Sequence, residues 1–194
     1  VESVDLRLAH GEVVLRVAVD AETLWGCPEC GERMHAHGRS TRRWRHLDTC
    51  QLKTIIECDV PRVKCPKHGT KTVAVPWAEP HGRFTAMFER LAIDLLRECS
   101  VEAARKHLRL SWDECDHIKE KAVKRGLARK TPLEARALCI DEKSVGRGHD
   151  YITVVTKLTA SGPVLDYIGE GRDEASLDAF WAAPSLTAGI QRLS

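Results

Sequence analysis

Two short motifs carry residue types and spacings that suit a metal ion. The first is Cys27-Pro28-Glu29-Cys30-Gly31 and the second is Cys65-Pro66-Lys67-His68-Gly69. In each, two residues separate the candidate ligands, and a glycine follows at the turn that brings the backbone close to the metal-bound atoms. Three thiolates and one imidazole match tetrahedral zinc, and four protein ligands leave no position open for a reactive water. The sequence therefore predicts a structural zinc site at Cys27, Cys30, Cys65 and His68.

The sequence leaves alternatives for the fourth zinc ligand. His35, His37 or His46 could take the position assigned to His68. The chain has 8 cysteines, and its N-terminus shows no signal-peptide pattern, which favours metal ligands and free thiols over a disulfide framework. The remaining two thiols of this region lie outside both motifs, and we expect them in the core: Cys50 and Cys58.

Basic side chains form a second candidate site. Residues 39–45 combine four arginines with Trp44, a composition suited to a loop that contacts nucleic-acid backbone. Residues 112–126 form a predicted helix with aromatic and histidine side chains in its first turns and four cations later. Helices that read DNA contact bases through N-terminal residues, while other cations hold phosphate. An ordinary solvated helix face would look the same, so that alternative stays open. The predicted DNA-contacting residues are Arg39, Arg42, Arg43, Arg45, Trp112, His117, Lys119, Lys121, Lys124 and Arg125.

Asp141 is the third candidate for chemistry. It follows an apolar run, residues 137–140, which predicts a buried strand ending in a carboxylate. Phosphoryl-transfer nucleases place metal-binding carboxylates at such positions, where two cations hold the attacking and leaving oxygens. An aspartate after a strand is more often a turn or cap residue, so the residues alone leave both roles open.

The elements that position these sites fall into three predicted regions. Residues 1–83 carry two opening strands, both motifs and a strand at residues 53–60. This region has few long apolar side chains, so a metal staple is needed. Residues 84–132 show helical spacing from Phe84, with Ser100 and Ser111 as N-caps and Glu114 completing a capping box. The last helix is expected to stop at Gly126, giving a helix-turn-helix arrangement and a linker.

Residues 133–194 follow a β-β-β-α order. Predicted strands cover residues 137–140, 151–158 and 164–168, an amphipathic helix covers residues 173–181, and Gly189 marks the approach to another strand. The predicted fold class is therefore multi-domain α+β: a small zinc-binding β-rich domain, a helix-turn-helix domain and an α/β domain.

Charge is concentrated in the middle of the chain. Residues 27–132 hold 22 basic and 14 acidic side chains, a net charge of +8, although the whole chain carries only +2. A basic centre between acidic ends favours a phosphate-binding partner and disfavours a structural zinc protein without nucleic acid. No run of about 18 apolar residues is present, so the sequence predicts no membrane helix.

These motifs together resemble the ISL-three (ISL3) family of insertion-sequence transposases. The resemblance rests on the two knuckles, the helical segment from Phe84 to Gly126 and the stretch Cys-Ile-Asp-Glu-Lys-Ser-Val-Gly-Arg-Gly-His-Asp-Tyr-Ile-Thr-Val-Val at residues 139–155. It implies a zinc-binding domain, a helix-turn-helix that recognises terminal inverted repeats of double-stranded DNA, and a ribonuclease-H-like domain. In this family an Asp-Asp-Glu triad uses magnesium, and its first member matches Asp141.

Two departures from the family pattern affect what we expect. The family's second knuckle usually ends in cysteine, whereas His68 stands here, and zinc accepts imidazole in that role. The second and third triad carboxylates have no counterpart before residue 194, so we expect a truncated catalytic domain, inactive in strand transfer by itself. The resemblance also implies a bacterial cytoplasmic, nucleoid-associated protein that could form homo-oligomers. The alternative function is a zinc-dependent helix-turn-helix transcriptional regulator, which would carry a ligand pocket or dimerisation helix after residue 132.

Overall fold

The computed structural model of the chain describes residues 1–20, 23–131, 133–146 and 148–182. Strands come first along the chain, three helices follow, and a second group of strands and a short fourth helix come after them, which confirms the α+β prediction. The chain divides into two units, Val1–Arg125 and Gly126–Ser194. The predicted domain borders at residues 83 and 132 stay predictions. None of the described helices is long and apolar enough to cross a membrane.

The first unit is built on a five-stranded sheet. Its strands and a separate two-stranded ribbon are, in chain order, β1 (Ser3–Arg7), β2 (Glu12–Val17), β3 (Trp25–Gly26), β4 (Arg33–Met34), β5 (Gly38–Thr49), β6 (Leu52–Cys65) and β7 (Gly69–Thr72). The sheet has the order β1-β2-β6-β5, with β7 paired to the end of β6, while β3 and β4 form the ribbon. The β2–β6 pair is parallel and the others are antiparallel. The opening strands and the strand at residues 53–60 are thus confirmed.

The basic stretch at residues 39–45 lies within β5, so the predicted loop is wrong. Cross-strand pairing sets its conformation, with Arg42 opposite Cys58 and Trp44 opposite Ile56. Trp44 is buried, and it packs edge-on against Trp77 with ring centroids 5.6 Å apart. A tryptophan in the core fixes the strand, because burying so large a ring is strongly favourable.

The core of this sheet contains Cys58, as predicted, together with Trp44, Val60, Val63 and Val73. Cys50 is exposed, so its predicted core position is wrong. It lies in the turn between β5 and β6, where Cys50 and Gln51 both have positive φ, 51° and 64°. Two consecutive residues with positive φ form a tight two-residue hairpin turn, whose backbone matches the right-handed twist of the two strands.

Three helices follow the sheet along the chain: α1 (Ala86–Glu98), α2 (Val101–Leu108) and α3 (Trp112–Ala128), the last of which ends beyond Arg125. The predicted caps are confirmed, since the Ser100 hydroxyl accepts from the Ala103 N–H and Ser111 exchanges hydrogen bonds with Glu114. The helix α3 continues past Gly126 to Ala128, so the predicted stop is wrong; a helix tolerates an internal glycine at a cost of about 1 kcal/mol. The shared core of the helices comprises Phe84, Phe88, Ala92, Leu108, Leu110, Cys115 and Ile118.

The helices are joined to the sheet through β5. The Arg45 N–H donates to the Arg83 carbonyl at 2.9 Å, and the Thr85 N–H donates to the Arg45 carbonyl at 3.0 Å. The Thr85 hydroxyl also caps α1, accepting from the Phe88 N–H at 3.3 Å. The backbone hydrogen bonds of the sheet therefore continue from β5 to the start of α1, and they hold the helices against the sheet.

The second unit contains a three-stranded antiparallel sheet in the order β10-β9-β8. Its strands are β8 (Ala137–Ser144), β9 (Tyr151–Thr159) and β10 (Gly162–Glu170). A 3-10 turn (Glu174–Leu177) and α4 (Asp178–Ala182) replace the single predicted helix. The predicted strand near Gly189 lies outside the described residues. The strand β8 is not buried as predicted, since Ile140 keeps 45% of its surface exposed.

Candidate functional site

The four predicted zinc ligands converge in the first unit. Their ligand atoms all lie within 4.8 Å of one another. The Sγ atoms of Cys30 and Cys65 are 3.7 Å apart, and His68 Nδ1 lies 3.7 Å from Cys27 Sγ and 3.5 Å from Cys65 Sγ. A tetrahedron with ordinary Zn–S and Zn–N bonds has S···S edges of about 3.8 Å and S···N edges of about 3.5 Å. The donor set and its spacing therefore fit zinc, with Nδ1 as the histidine ligand.

Local backbone geometry brings these ligands together. Cys27 and Cys30 lie in the turn between β3 and β4, and Cys65 ends β6 just before His68. The glycine after each motif, Gly31 and Gly69, has a positive φ of 74° and 70°, as the knuckle interpretation requires. In the first knuckle the Gly31 N–H donates to the Cys27 carbonyl at 2.8 Å.

Backbone hydrogen bonds favour the thiolate at two of the three cysteines. At Cys30 a backbone hydrogen bond from Glu32 is outweighed by burial and by the side chains of Cys27 and Cys65, so the pKa of that thiol is raised. The pKa of Cys27 is lowered to about 6, first because the Glu29 N–H donates to the thiolate and further by the Cys30 N–H. Burial opposes ionisation of Cys65, yet backbone donors from His68 and Lys67 outweigh it and lower the pKa of that thiol. Glu29 Oε2 lies 3.6 Å from His68 Nε2, where it can orient the ring from outside the site.

The competing histidines do not join this cluster. His46 Nδ1 pairs with the Thr85 hydroxyl at 2.8 Å, and burial lowers the pKa of His46, as does the neighbouring Arg45 cation. Among the described residues, the only group of three or more candidate metal ligands is the set that ends in His68. His35 and His37 therefore lie outside it.

All four cations predicted to contact DNA from α3 already have carboxylate partners. Lys119 Nζ lies 2.8 Å from Asp116, and Lys124 Nζ lies 2.7 Å from Glu120. Arg125 Nη1 lies 2.6 Å from Glu79 Oε1 and 3.0 Å from the buried Glu89, and Lys121 is 3.8 Å from Glu79. Arg125 thus ties α3 to α1.

The first turns of α3 are open to solvent. Trp112 keeps 49% of its surface exposed, and the Arg105 guanidinium lies 5.6 Å from its ring centroid. His117 is exposed one turn later. The positions that a recognition helix uses to read bases therefore carry an aromatic ring and an imidazole.

The four arginines of β5 differ in their surroundings. Arg45 is 9% exposed; it pairs with Asp48 and its guanidinium carbon lies 5.0 Å from the Phe88 ring centroid. Arg42 donates to the Gly82 carbonyl at 3.1 Å and lies over Trp44. Arg43 is 3.5 Å from Glu57. Arg39 is exposed and has no ion-pair partner in the described part of the chain.

Asp141 lies within β8, paired with Val154 of β9, and not at the end of a strand. Its side chain is exposed, and Oδ1 accepts from the Glu142 N–H at 2.9 Å. The strand continues to Ser144 because its cross-strand pairing with β9 extends that far. Within the described residues, Asp141 belongs to no group of three or more candidate metal ligands.

Sequence reasoning missed the role of Arg109. This residue ends α2 in the left-handed conformation, with φ of 56°, and its guanidinium pairs with Asp48 and donates to the Gln51 carbonyl at 3.0 Å. The turn between α2 and α3 is thereby bound to the hairpin between β5 and β6. No sequence signal marks it, since a left-handed helix end usually carries glycine.

Three family models match the chain in order. A zinc-finger of transposase IS204/IS1001/IS1096/IS1165 matches residues 23–68, a helix-turn-helix domain of transposase family ISL3 matches residues 73–118, and an ISL3 transposase model of the DDE type matches residues 138–194. A transposase segment thus follows the helices. A transcriptional regulator, the alternative function, would have a ligand pocket or a dimerisation helix at that place. The regulator alternative is not supported.

Curated relatives agree with these matches. The transposase for insertion sequence element IS1557 from two strains of Mycobacterium tuberculosis is 32% identical over 176 residues, covering 88% of this chain and 39% of the relative. The transposase for insertion sequence element IS1001 from Bordetella parapertussis is 24% identical over 157 residues, covering 80% and 38%.

The chain spans about 39% of the length of the first of these relatives. No solved structure matches it. With zinc-finger, helix-turn-helix and transposase segments matched in family order, the chain belongs to the ISL3 family of insertion-sequence transposases.

Proposed function

We propose that this chain is the DNA-recognition part of an ISL3 transposase together with the beginning of its catalytic domain. The observation that supports this most strongly is the joining of a tetrahedral Cys27, Cys30, Cys65 and His68 set to a helix-turn-helix through one sheet. Zinc at that set would be structural, since its four ligands complete the coordination shell. The metal would stabilise the sheet that holds the helices.

In this proposal α3 reads base edges of terminal inverted repeats through Trp112 and His117. Phosphate contacts come from Arg39 and Arg42 on β5, and Arg43 is left out because Glu57 lies 3.5 Å from its guanidinium. We leave out Lys119, Lys121 and Lys124, because each phosphate they approached would also meet the carboxylate beside them. Arg45 and Arg125 are left out as well, since both are held inside the fold by ion pairs.

For the second unit we propose the start of a ribonuclease-H-like domain. The antiparallel order of β8, β9 and β10 and the match to the transposase model support this assignment. Asp141 would contribute the first carboxylate of a magnesium site completed elsewhere in the whole transposase, which would act in DNA strand transfer. Because an element has two ends, we also propose that two copies act together.

The test is fluorescence-anisotropy binding of the chain to duplex DNA with the element's terminal inverted repeat, against a scrambled duplex. We expect tighter binding to the repeat, abolished by a zinc chelator and restored by added zinc. His68→Ala should lose zinc, while His68→Cys should retain both zinc and binding. His117→Ala should reduce the preference for the repeat about tenfold or more. Equal, chelator-insensitive binding to both duplexes would contradict the proposal.

A further inference from the structure

Three exposed cations follow one another along the end of β6 and the second zinc knuckle. They are Arg62, Lys64 and Lys67, which we name the ribbon patch. Arg62 and Lys64 are two residues apart on a strand, so their side chains leave the same face. In the described part of the chain none of the three has an ion-pair or hydrogen-bonded partner for its side chain. The patch therefore presents uncompensated positive charge.

The surroundings of the ribbon patch are unusually poor in acid. Residues 33–47 and 60–78 contain no aspartate or glutamate. The fold brings these two segments together, since Gly38 pairs with Arg62 across β5 and β6 and the His37 N–H donates to the Arg62 carbonyl at 2.7 Å. Glu29 of the first knuckle is engaged by Lys71 at 2.5 Å. The ends of these two segments thus meet beside the ribbon patch and form a basic region, which is bordered by Asp59 where that residue pairs with Thr41.

The contrast with α3 identifies the partner. The ion pairs of α3 place positive and negative charges side by side, whereas the ribbon patch carries positive charge alone. Such a patch attracts a polyanion such as duplex DNA. Thr72 pairs with Arg62 and Thr70 with Lys64 across β7, placing two exposed threonines beside the cations. Hydroxyls and cations together are the usual partners of phosphate oxygens.

We propose that the ribbon patch contacts the DNA backbone and supplies much of the sequence-independent, salt-dependent part of binding. This inference rests on the proposed DNA-binding function and adds a surface at the end of β6 and the second zinc knuckle to the residues on α3 and β5. In this arrangement the helices recognise the base sequence, and the ribbon patch binds neighbouring phosphates.

The experiment measures binding of the whole chain to repeat and scrambled duplexes at several salt concentrations. Each phosphate contact contributes about 0.9 to the slope of log affinity against log salt. The variant Arg62→Ala/Lys64→Ala should lower that slope by about 1.8 on both duplexes and weaken binding about tenfold or more near 0.1 M salt. The matched variant Lys119→Ala/Lys124→Ala removes the same formal charge and should leave the slope unchanged.

Two further measurements separate loss of contact from loss of fold. Zinc content and the urea midpoint of each variant should equal those of the parent chain, and Arg62→Lys/Lys64→Arg should keep the parent's slope. An unchanged slope for Arg62→Ala/Lys64→Ala, with the repeat still preferred, would overturn this inference and leave the proposed function standing. Absence of any DNA binding by the parent chain would overturn both.

Discussion

Arg45 shows how far residue type alone can mislead. Its sequence neighbours suggest a DNA contact, yet its guanidinium lies between the Phe88 ring and Asp48. That environment depends on a helix more than forty positions away in sequence, which composition does not reveal. The zinc ligands could be predicted, because the Cys-Pro-x-[Cys/His]-Gly motif encodes both the ligands and the turn that positions them.

Replacing Arg45 should therefore affect folding more than DNA binding. We expect Arg45→Ala to lower the free energy of unfolding by about 2 kcal/mol, because a charged group loses its hydrogen bonds and leaves Asp48 less well paired. Arg39→Ala on the same strand should change it by less than about 0.5 kcal/mol. Urea unfolding of the zinc-loaded chain measures both. Equal effects of the two substitutions would refute this assignment of Arg45.

A buried charge in the second unit allows another residue-scale prediction. Asp166 has 1% of its side chain exposed, with Lys130 Nζ at 2.8 Å and the equally buried Lys157 Nζ at 3.3 Å. Asp166→Asn should destabilise this unit by about 3–5 kcal/mol, because it leaves a lysine buried without its counter-ion. The double variant Lys157→Met/Asp166→Leu should be markedly less harmful. Amide hydrogen exchange of β9 in the two variants measures this difference in stability. Equal protection of β9 in both variants would show that the unpaired lysine is not the cause of the destabilisation.

At the scale of elements, the sequence located helix starts and strand positions better than helix ends and strand burial. Ser111 and Glu114 mark the start of α3 within one turn, so the sequence alone locates it. The burial of β8 could not be predicted in that way. An apolar run predicts a strand but does not show whether other elements pack on it. Burial depends on elements distant in sequence, and Ile140 is exposed.

The capping box gives a prediction at this scale. Ser111→Ala should lower the free energy of unfolding by about 1 kcal/mol, since the Glu114 N–H loses its acceptor, while Ser111→Gly should cost only a few tenths. Thermal unfolding followed by circular dichroism compares the two. If alanine were tolerated as well as glycine, the side-chain hydrogen bond would contribute nothing to α3.

For the whole molecule, zinc binding should make the first unit sensitive to acid. The pKa of Cys27 is lowered in the folded site to about 6, so its thiolate contributes stability at higher pH and loses it as pH falls through 6. Bound zinc keeps its thiolates ionised to a lower pH than the metal-free site does, so we expect zinc release, followed with a colorimetric indicator, to rise steeply between about pH 6 and about pH 4. Exchange protection should then disappear from β5 and β6 and persist in β9. Metal retention at pH 4 would contradict this.

The parallel pairing of β2 with β6 has a consequence for the order in which the chain is made. The ribosome releases β2 long before its partner, with both β3–β4 and the whole of β5 emerging in between. Until β6 appears, Val13 and Val14 pair only with β1, and the other edge of β2 has no partner strand. The hairpin of β5 and β6 closes a short loop and can form first, whereas β2 must close a long one. The hairpin of β1 and β2 thus joins this sheet only after β6 has been made, and until then the free edge of β2 is open to pairing with another chain.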